Sequence, residues 1–186
     1  MMTTPTRRQR AVSIALLAAM IALSLAVLFL PFDAQSLSVL GYSGIFLITL
    51  LGAMSMFVPG PTMIAAFVIG ATLNPFLVGL FAGSGSAIGE STGYVTGYAT
   101  RAVILEPEKE KAWYWRLFEW MSRYPFLIQF GFAVIPNPLS DVSGLIAGRI
   151  GYPYWRFLLS TFLGKAIRFG AAAYLGSIWG VPFRPD

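Results

Sequence analysis

Residues 58–75 read VPGPTMIAAFVIGATLNP, and residues 135–153 read IPNPLSDVSGLIAGRIGYP. Each stretch opens on Pro-x-Pro, runs through a short apolar limb and closes on an x-Pro junction. The Pro-x-Pro motifs start at Pro59 and Pro136, 77 positions apart, and the closing prolines Pro75 and Pro153 are 78 apart. An apolar limb precedes each (39–58 and 126–135), and a long helical segment follows each (76–100 and 154–179). Elements recurring at one offset indicate an internal duplication, the arrangement from which many membrane transporters build a site between two halves.

Composition places that duplication in a membrane. Of 186 residues, 56% are hydrophobic and 11% charged, against about a quarter charged in a soluble domain. Mean hydropathy is +0.70. The net charge of +5 suits contact with anionic headgroups, while the dispersed cations argue against nucleic acid. Histidine and cysteine are absent, which removes disulfides, thiolate nucleophiles, histidine bases and nearly every zinc site. Neither a metal, a cofactor nor an enzymatic activity is expected.

Residues 1–10 carry Arg7, Arg8 and Arg10 and precede the apolar run AVSIALLAAMIALSLAVLFL (11–30). That run is longer than a signal-peptide core, and the residues after it form a poor cleavage site. A retained transmembrane helix with a cytoplasmic N-terminal tail is preferred over a cleaved or twin-arginine signal.

The same charge rule orders the rest. If 39–58 crossed the bilayer, Arg101, Lys109, Lys111, Arg116 and Arg123 would lie outside. If 39–73 is instead a re-entrant hairpin with its tip at 59–61, helix 76–100 runs inward and those cations are cytoplasmic. A second hairpin with its tip at 136–138 then dips in from the cytoplasm, and helix 154–179 exits. The segment 101–123 mixes charge with Trp113, Tyr114, Trp115 and Trp120 and reads as an interfacial amphipathic helix. The expected fold is an all-α integral membrane protein with three transmembrane helices. It adds two facing re-entrant hairpins in an inverted repeat (39–100 and 125–180) and the interfacial helix, in the plasma (inner) membrane.

Non-helical backbone at membrane depth must be buried or line a wet cavity, so the tips Pro59, Pro61, Pro136 and Pro138 mark a site. Gly85, Gly89, Gly93 and Gly97 form a stripe suited to close helix packing in lipid. Glu90 lies 15 residues after Pro75 and Arg168 lies 15 after Pro153, so both fall about 22 Å along their helices. Lys165 shares a face with Arg168, and Asp141 follows the second Pro-x-Pro. Each charge at the bilayer centre costs about 2.5–3.5 kcal/mol, so pairing or water is expected. The expectation is a polar cavity between the tips. Lys165, Arg168 and Asn137 would bind substrate there, and Glu90 and Asp141 would carry the coupling proton. A buried ion pair that only fixes the docking of the halves is the alternative for these charges.

The segments 58–75, GSGSAIGESTGYVTGYATR (83–101) and IPNPLSDVSGLIAGRIGYPYWRFLLSTFLGKAIRF (135–169) together resemble the DedA family, the bacterial branch of the VTT-domain (SNARE-associated Golgi protein) superfamily. The resemblance covers about residues 40–180. It implies facing re-entrant hairpins and lipid handling: scrambling in eukaryotic members, and recycling of polyprenyl-phosphate carriers or proton-coupled membrane homeostasis in bacterial ones. The chain departs from the family pattern where acids surround the first Pro-x-Pro, having Met54, Ser55, Thr62 and Met63. It departs again where arginines flank the second, having Ala133, Leu139 and Ser140. Glu90, Asp141, Lys165 and Arg168 would have to do that work. The function expected is transport or scrambling of a lipid or lipid phosphate. The alternatives are a small-solute or drug exporter and a non-transporting membrane-organising protein. Membrane lipids bearing anionic or phosphate groups are the expected partners, with a second copy of the chain also allowed.

Overall fold

The computed structural model describes residues 41–54, 60–101, 112–136 and 139–179. Every regular element among them is an α-helix: α1 (Tyr42–Met54), α2 (Gly60–Gly70), α3 (Pro75–Thr100), α4 (Ala112–Arg123), α5 (Pro125–Val134), α6 (Leu139–Ile150) and α7 (Tyr154–Trp179). Two short helices and a long one are thus followed, after α4, by two short helices and a long one.

The prolines set the boundaries. Pro75 occupies the first turn of α3, where its missing N–H costs nothing. Asn74 caps that turn, its side chain accepting from the amides of Phe76 (3.0 Å) and Leu77 (3.4 Å). At the second junction Gly151 takes φ +73°, and the amides of Gly151 and Tyr152 return to the carbonyls of Gly148 and Ala147. These two bonds are the Schellman closure, in which only glycine adopts the left-handed turn without strain. Pro153 then starts the next helix.

The packing matches half to half. α1 lies on α3 and α5 on α7; α2 crosses over to α7, and α6 crosses over to α3. The two long helices pack on each other antiparallel, since Gly79 meets Gly170 whereas Ser91 bonds Tyr154 (3.0 Å). A Cβ on Gly85 would strike the Phe46 carbonyl, and one on Gly164 would strike that of Phe130. A Cβ on Gly97 would overlap Leu145 and one on Gly148 would overlap Tyr94; on the other side Gly176 meets Phe67 and Gly70 meets Ala173 in the same way. Each such pair maps onto its counterpart at an offset of 78 or 79, apart from the α1–α5 limb, where the offset is 84.

The hairpin α1–α2 has its open ends together, with the Asn74 amide donating to the Tyr42 hydroxyl (3.2 Å). The described helix α1 has 13 residues, about 20 Å of helix, and residues 39–40 and 55–58 of the expected limb lie outside the described residues.

The expected spans 76–100 and 154–179 are single helices of 26 residues, about 39 Å long. Even so, among the described residues no helix is long and apolar enough to cross a membrane. The reason lies in α3's glycine, serine and threonine content and in Arg156, Lys165 and Arg168 on α7. Segments 1–40 and 102–111 lie outside the described residues, which includes the expected helix 11–30 and the start of the expected interfacial helix. The described part of the latter, α4, buries Tyr114, Leu117 and Met121 and exposes Trp113, Trp115 and Trp120.

The glycine seats generate a prediction. Gly97→Ala and Gly176→Ala each force backbone apart and should cost about 1–3 kcal/mol. Gly131, with nothing within 4 Å of an added Cβ, should gain up to about 1 kcal/mol as Ala. Thermal unfolding of the three purified variants checks the contrast.

Candidate functional site

The face of α3 that carries Ser86 and Glu90 meets the face of α7 that carries Thr161, Lys165 and Arg168, and all five side chains are buried. Antiparallel crossing brings Glu90 beside Lys165, and the Lys165 ammonium forms an ion pair with Glu90 Oε1. The two side chains retain 4% and 7% exposure, so this is a desolvated pair whose halves come from different repeats. Glu90 Oε2 is buried without a hydrogen-bond partner among the described residues. Next along α7, Gln129 of α5 donates to the Thr161 hydroxyl (3.0 Å), and its own carbonyl oxygen is likewise unpartnered among the described residues.

The described ends of α1 and α5 both lie at the level of these charges. α1 advances along α3 from Gly85, against Phe46 and Thr49, to Gly89, against Leu50, Ala53 and Met54. Its end therefore reaches Glu90. α5 places Phe130 and Ala133 on Gly164, so its end reaches Lys165 and Arg168.

Arg168 stands one turn from Lys165 and donates from Nε to the Met63 sulfur of α2 (3.3 Å). It lines a groove of about 590 Å³ with Met63, Ile64 and Phe67 of α2, Val134 and Pro136 at the second hairpin's turn, and Ile167, Ala171, Ala172 and Leu175 of α7. Among the described residues the groove is apolar apart from Arg168, whereas the sequence suggests a polar cavity shared by Glu90, Asp141, Lys165 and Arg168. The difference is physical: Glu90 and Lys165 satisfy each other inside the α3–α7 seam, and neither lines the groove.

The remaining residues fall as follows. Pro61 begins α2 and Asp141 lies in the first turn of α6, their side chains outside the described residues, as are Pro59, Asn137 and Pro138 entirely. Gly85, Gly89 and Gly97 seat α1 and α6, and Gly93 is buried in α3. Met63, Gln129 and Thr161 were not legible as site residues. Gly164 and Gly176 could have been found by adding 79 to Gly85 and Gly97. Among the described residues no cluster of three His, Cys, Asp or Glu side chains could hold a metal ion.

Glu90→Gln leaves the Lys165 charge buried alone, which should cost about 3–5 kcal/mol. The double variant Glu90→Gln/Lys165→Met removes both charges and should recover most of that loss. Unfolding midpoints of both variants in the same detergent test the expectation.

The VTT domain matches residues 58–178, well over half of the chain and including both hairpin turns, α3 and α7. The vacuole membrane protein 1 homolog of Dictyostelium discoideum is 36% identical over 110 residues, covering 47% of this chain and 27% of that protein. Human vacuole membrane protein 1 is 35% identical over 107 residues, covering 46% and 26%. Arabidopsis thaliana vacuole membrane protein KMS1 is 51% identical over 35 residues, covering 19% and 8%. The matched region thus spans about a quarter or less of these relatives. No solved structure matches the chain. With hairpin turns, seam and groove all inside the matched region, the chain belongs to the VTT domain family.

Proposed function

We propose that the protein is an integral membrane protein that carries lipid between leaflets, with the acyl part in the α2–α7 groove and a phosphate-bearing headgroup at Arg168. The observation behind this reading is a reversal of the usual polarity. Every exposed side chain of α3 is apolar or aromatic: Phe76, Leu77, Phe81, Ile88 and Tyr98. On α7 the exposed row Leu159, Leu163, Ile167, Ala171 and Leu175 continues to Ile178 and Trp179. Glu90, Lys165 and Arg168, the charged residues along the middle of these helices, are buried, and the exposed Arg156 stands in the first turn of α7. Averaged along the chain the helices are only moderately apolar, yet the surface they offer is suited to lipid. Trp155 and Trp179 lie 24 positions apart, about 36 Å on a helix, a separation that fits two interfacial belts.

On this reading α1–α2 and α5–α6 are the re-entrant hairpins, entering from opposite sides, and α3 and α7 cross the bilayer. Arg168 gives an otherwise apolar groove one cation able to grip a phosphate through charge-assisted hydrogen bonds. Glu90 is the coupling group: taking a proton breaks its pair with Lys165 and loosens the seam between the halves. The end bearing the cations faces the cytoplasm. The resemblance of the chain to vacuole membrane proteins supports a membrane setting, and lipids are the partners proposed. No enzymatic step is invoked.

Headgroup translocation in proteoliposomes, followed with a labelled phospholipid, tests the reading. Arg168→Gln should slow it about ten-fold, the worth of one charge-assisted hydrogen bond, while Gly131→Ala leaves it unchanged. Wild-type flux in Arg168→Gln would end the proposal. The closed Glu90–Lys165 pair favours a second reading, in which the halves are locked and the protein organises the membrane without transport. In that case wild-type proteoliposomes show no flux above empty ones.

A further inference from the structure

One end of the helix bundle collects the cations. The close of α3, all of α4, the start of α5 and the α6–α7 elbow meet there: Arg149 Nη1 donates to the Tyr114 hydroxyl (2.6 Å), and the Arg101 guanidinium lies against Gly151. Tyr114, Leu117 and Met121 pack with Ile146 and Tyr152 beneath. Arg101, Arg116, Arg123, Arg149 and Arg156 sit at this end, with Glu119 the single carboxylate among its described residues. At the other end, α1, α2 and the start of α3 carry no charged residue before Glu90.

How these arginines are held matters more than their number. Arg101 lies over the Tyr98 ring (5.6 Å), Arg123 over Tyr124 (5.4 Å) and Arg156 over Trp155 (5.0 Å). All three are exposed, and none forms an ion pair with a carboxylate among the described residues. A guanidinium held beside a ring rather than by a carboxylate still has N–H donors to offer, and their fork matches phosphate oxygens in a two-pronged geometry. Gly151 contributes directly, since a Cβ there would lie 2.7 Å from Arg101 Nη1. Exposed Trp113, Trp115 and Trp120 border the same surface, and tryptophan settles at the headgroup level of a bilayer.

We propose that this end is a binding face for the phosphate groups of anionic phospholipids in one leaflet, with Arg101 and Arg156 at the Gly151 elbow as its principal contacts. The proposal rests on the membrane placement above but not on transport, because Arg168 and the groove lie elsewhere on α7. Exposed Arg101, Arg123 and Arg156, which meet no carboxylate among the described residues, together with exposed tryptophans on one surface, are complementary to anionic headgroups and give a zwitterionic surface no comparable hold.

The full chain is reconstituted in nanodiscs of phosphatidylcholine with and without phosphatidylglycerol, and the lipid retained after extraction is counted by native mass spectrometry. Wild type should retain phosphatidylglycerol in preference to phosphatidylcholine, and high salt should weaken the preference. Arg101→Gln/Arg156→Gln should lose about ten-fold in phosphatidylglycerol binding while keeping the wild-type melting temperature and phospholipid flux. That outcome separates this face from the transport site and excludes misfolding. Arg101→Lys/Arg156→Lys should recover part of the binding, since charge is kept and the fork is lost. Equal retention of the two lipids by wild type, or undiminished phosphatidylglycerol binding by the Gln double variant, overturns the proposal. So does binding of polyglutamate by a protein that shows no lipid preference, which would assign the face to an acidic protein partner.

Discussion

Backbone meets backbone at the glycine seats, and the arrangement of the two halves depends on that contact. α2 rests on α7 through Gly70 and Gly176, and α6 rests on α3 through Gly97 and Gly148. The second short helix of each half is therefore held by the long helix of the other half. In lipid, apolar side chains gain little by meeting one another, so helices associate through close van der Waals approach and polar contacts. A side chain at any of these four positions would push a short helix off its seat and move a hairpin turn away from the charged level. The exchange also makes the halves mutually dependent, because neither could bury its own second limb alone.

The antiparallel α3–α7 seam converts this packing into electrostatics. Two positions fifteen residues past equivalent prolines, Glu90 and Arg168, are brought to similar depth, and Lys165 completes a pair across the seam. A desolvated pair offsets only part of the cost of burying its charges, so its presence points to specificity in how the halves dock or to a part in the working cycle. Glu90 Oε2 remains a buried acceptor with no hydrogen-bond partner among the described residues.

Arg168 has a different environment. Its Nε rests on a methionine sulfur, a weak acceptor, and its side chain helps line an apolar groove. One cation in an apolar trough has the chemistry of an amphiphile site: hydrocarbon along the trough and an anion at the charge. The cation-rich end formed by α4 and the α6–α7 elbow has the opposite character, with exposed arginines stacked on rings.

Much of this was written in the chain. The 77- and 78-residue offsets between proline motifs determined the two sets of three helices, because proline and glycine act locally on φ and on the backbone N–H wherever they stand. The glycine stripe and the lone acid within it were equally legible, as was the family. What the sequence could not decide was partnership. Glu90 could have faced Asp141, Arg168 or Lys165. The choice of Lys165 follows from the crossing of α3 and α7, which the seats at Gly79 and Gly83 fix. The same holds for Met63, an unremarkable apolar residue until α2 crosses to the other half and sets it beside Arg168. It holds also for the apolar outer surface of α3 and α7, which hydropathy averaged along the chain conceals because Glu90, Lys165 and Arg168 are buried between helices. Local conformation is set by residues near in sequence; which charges meet, and which faces stay outside, is set by contacts between residues about fifty to a hundred positions apart.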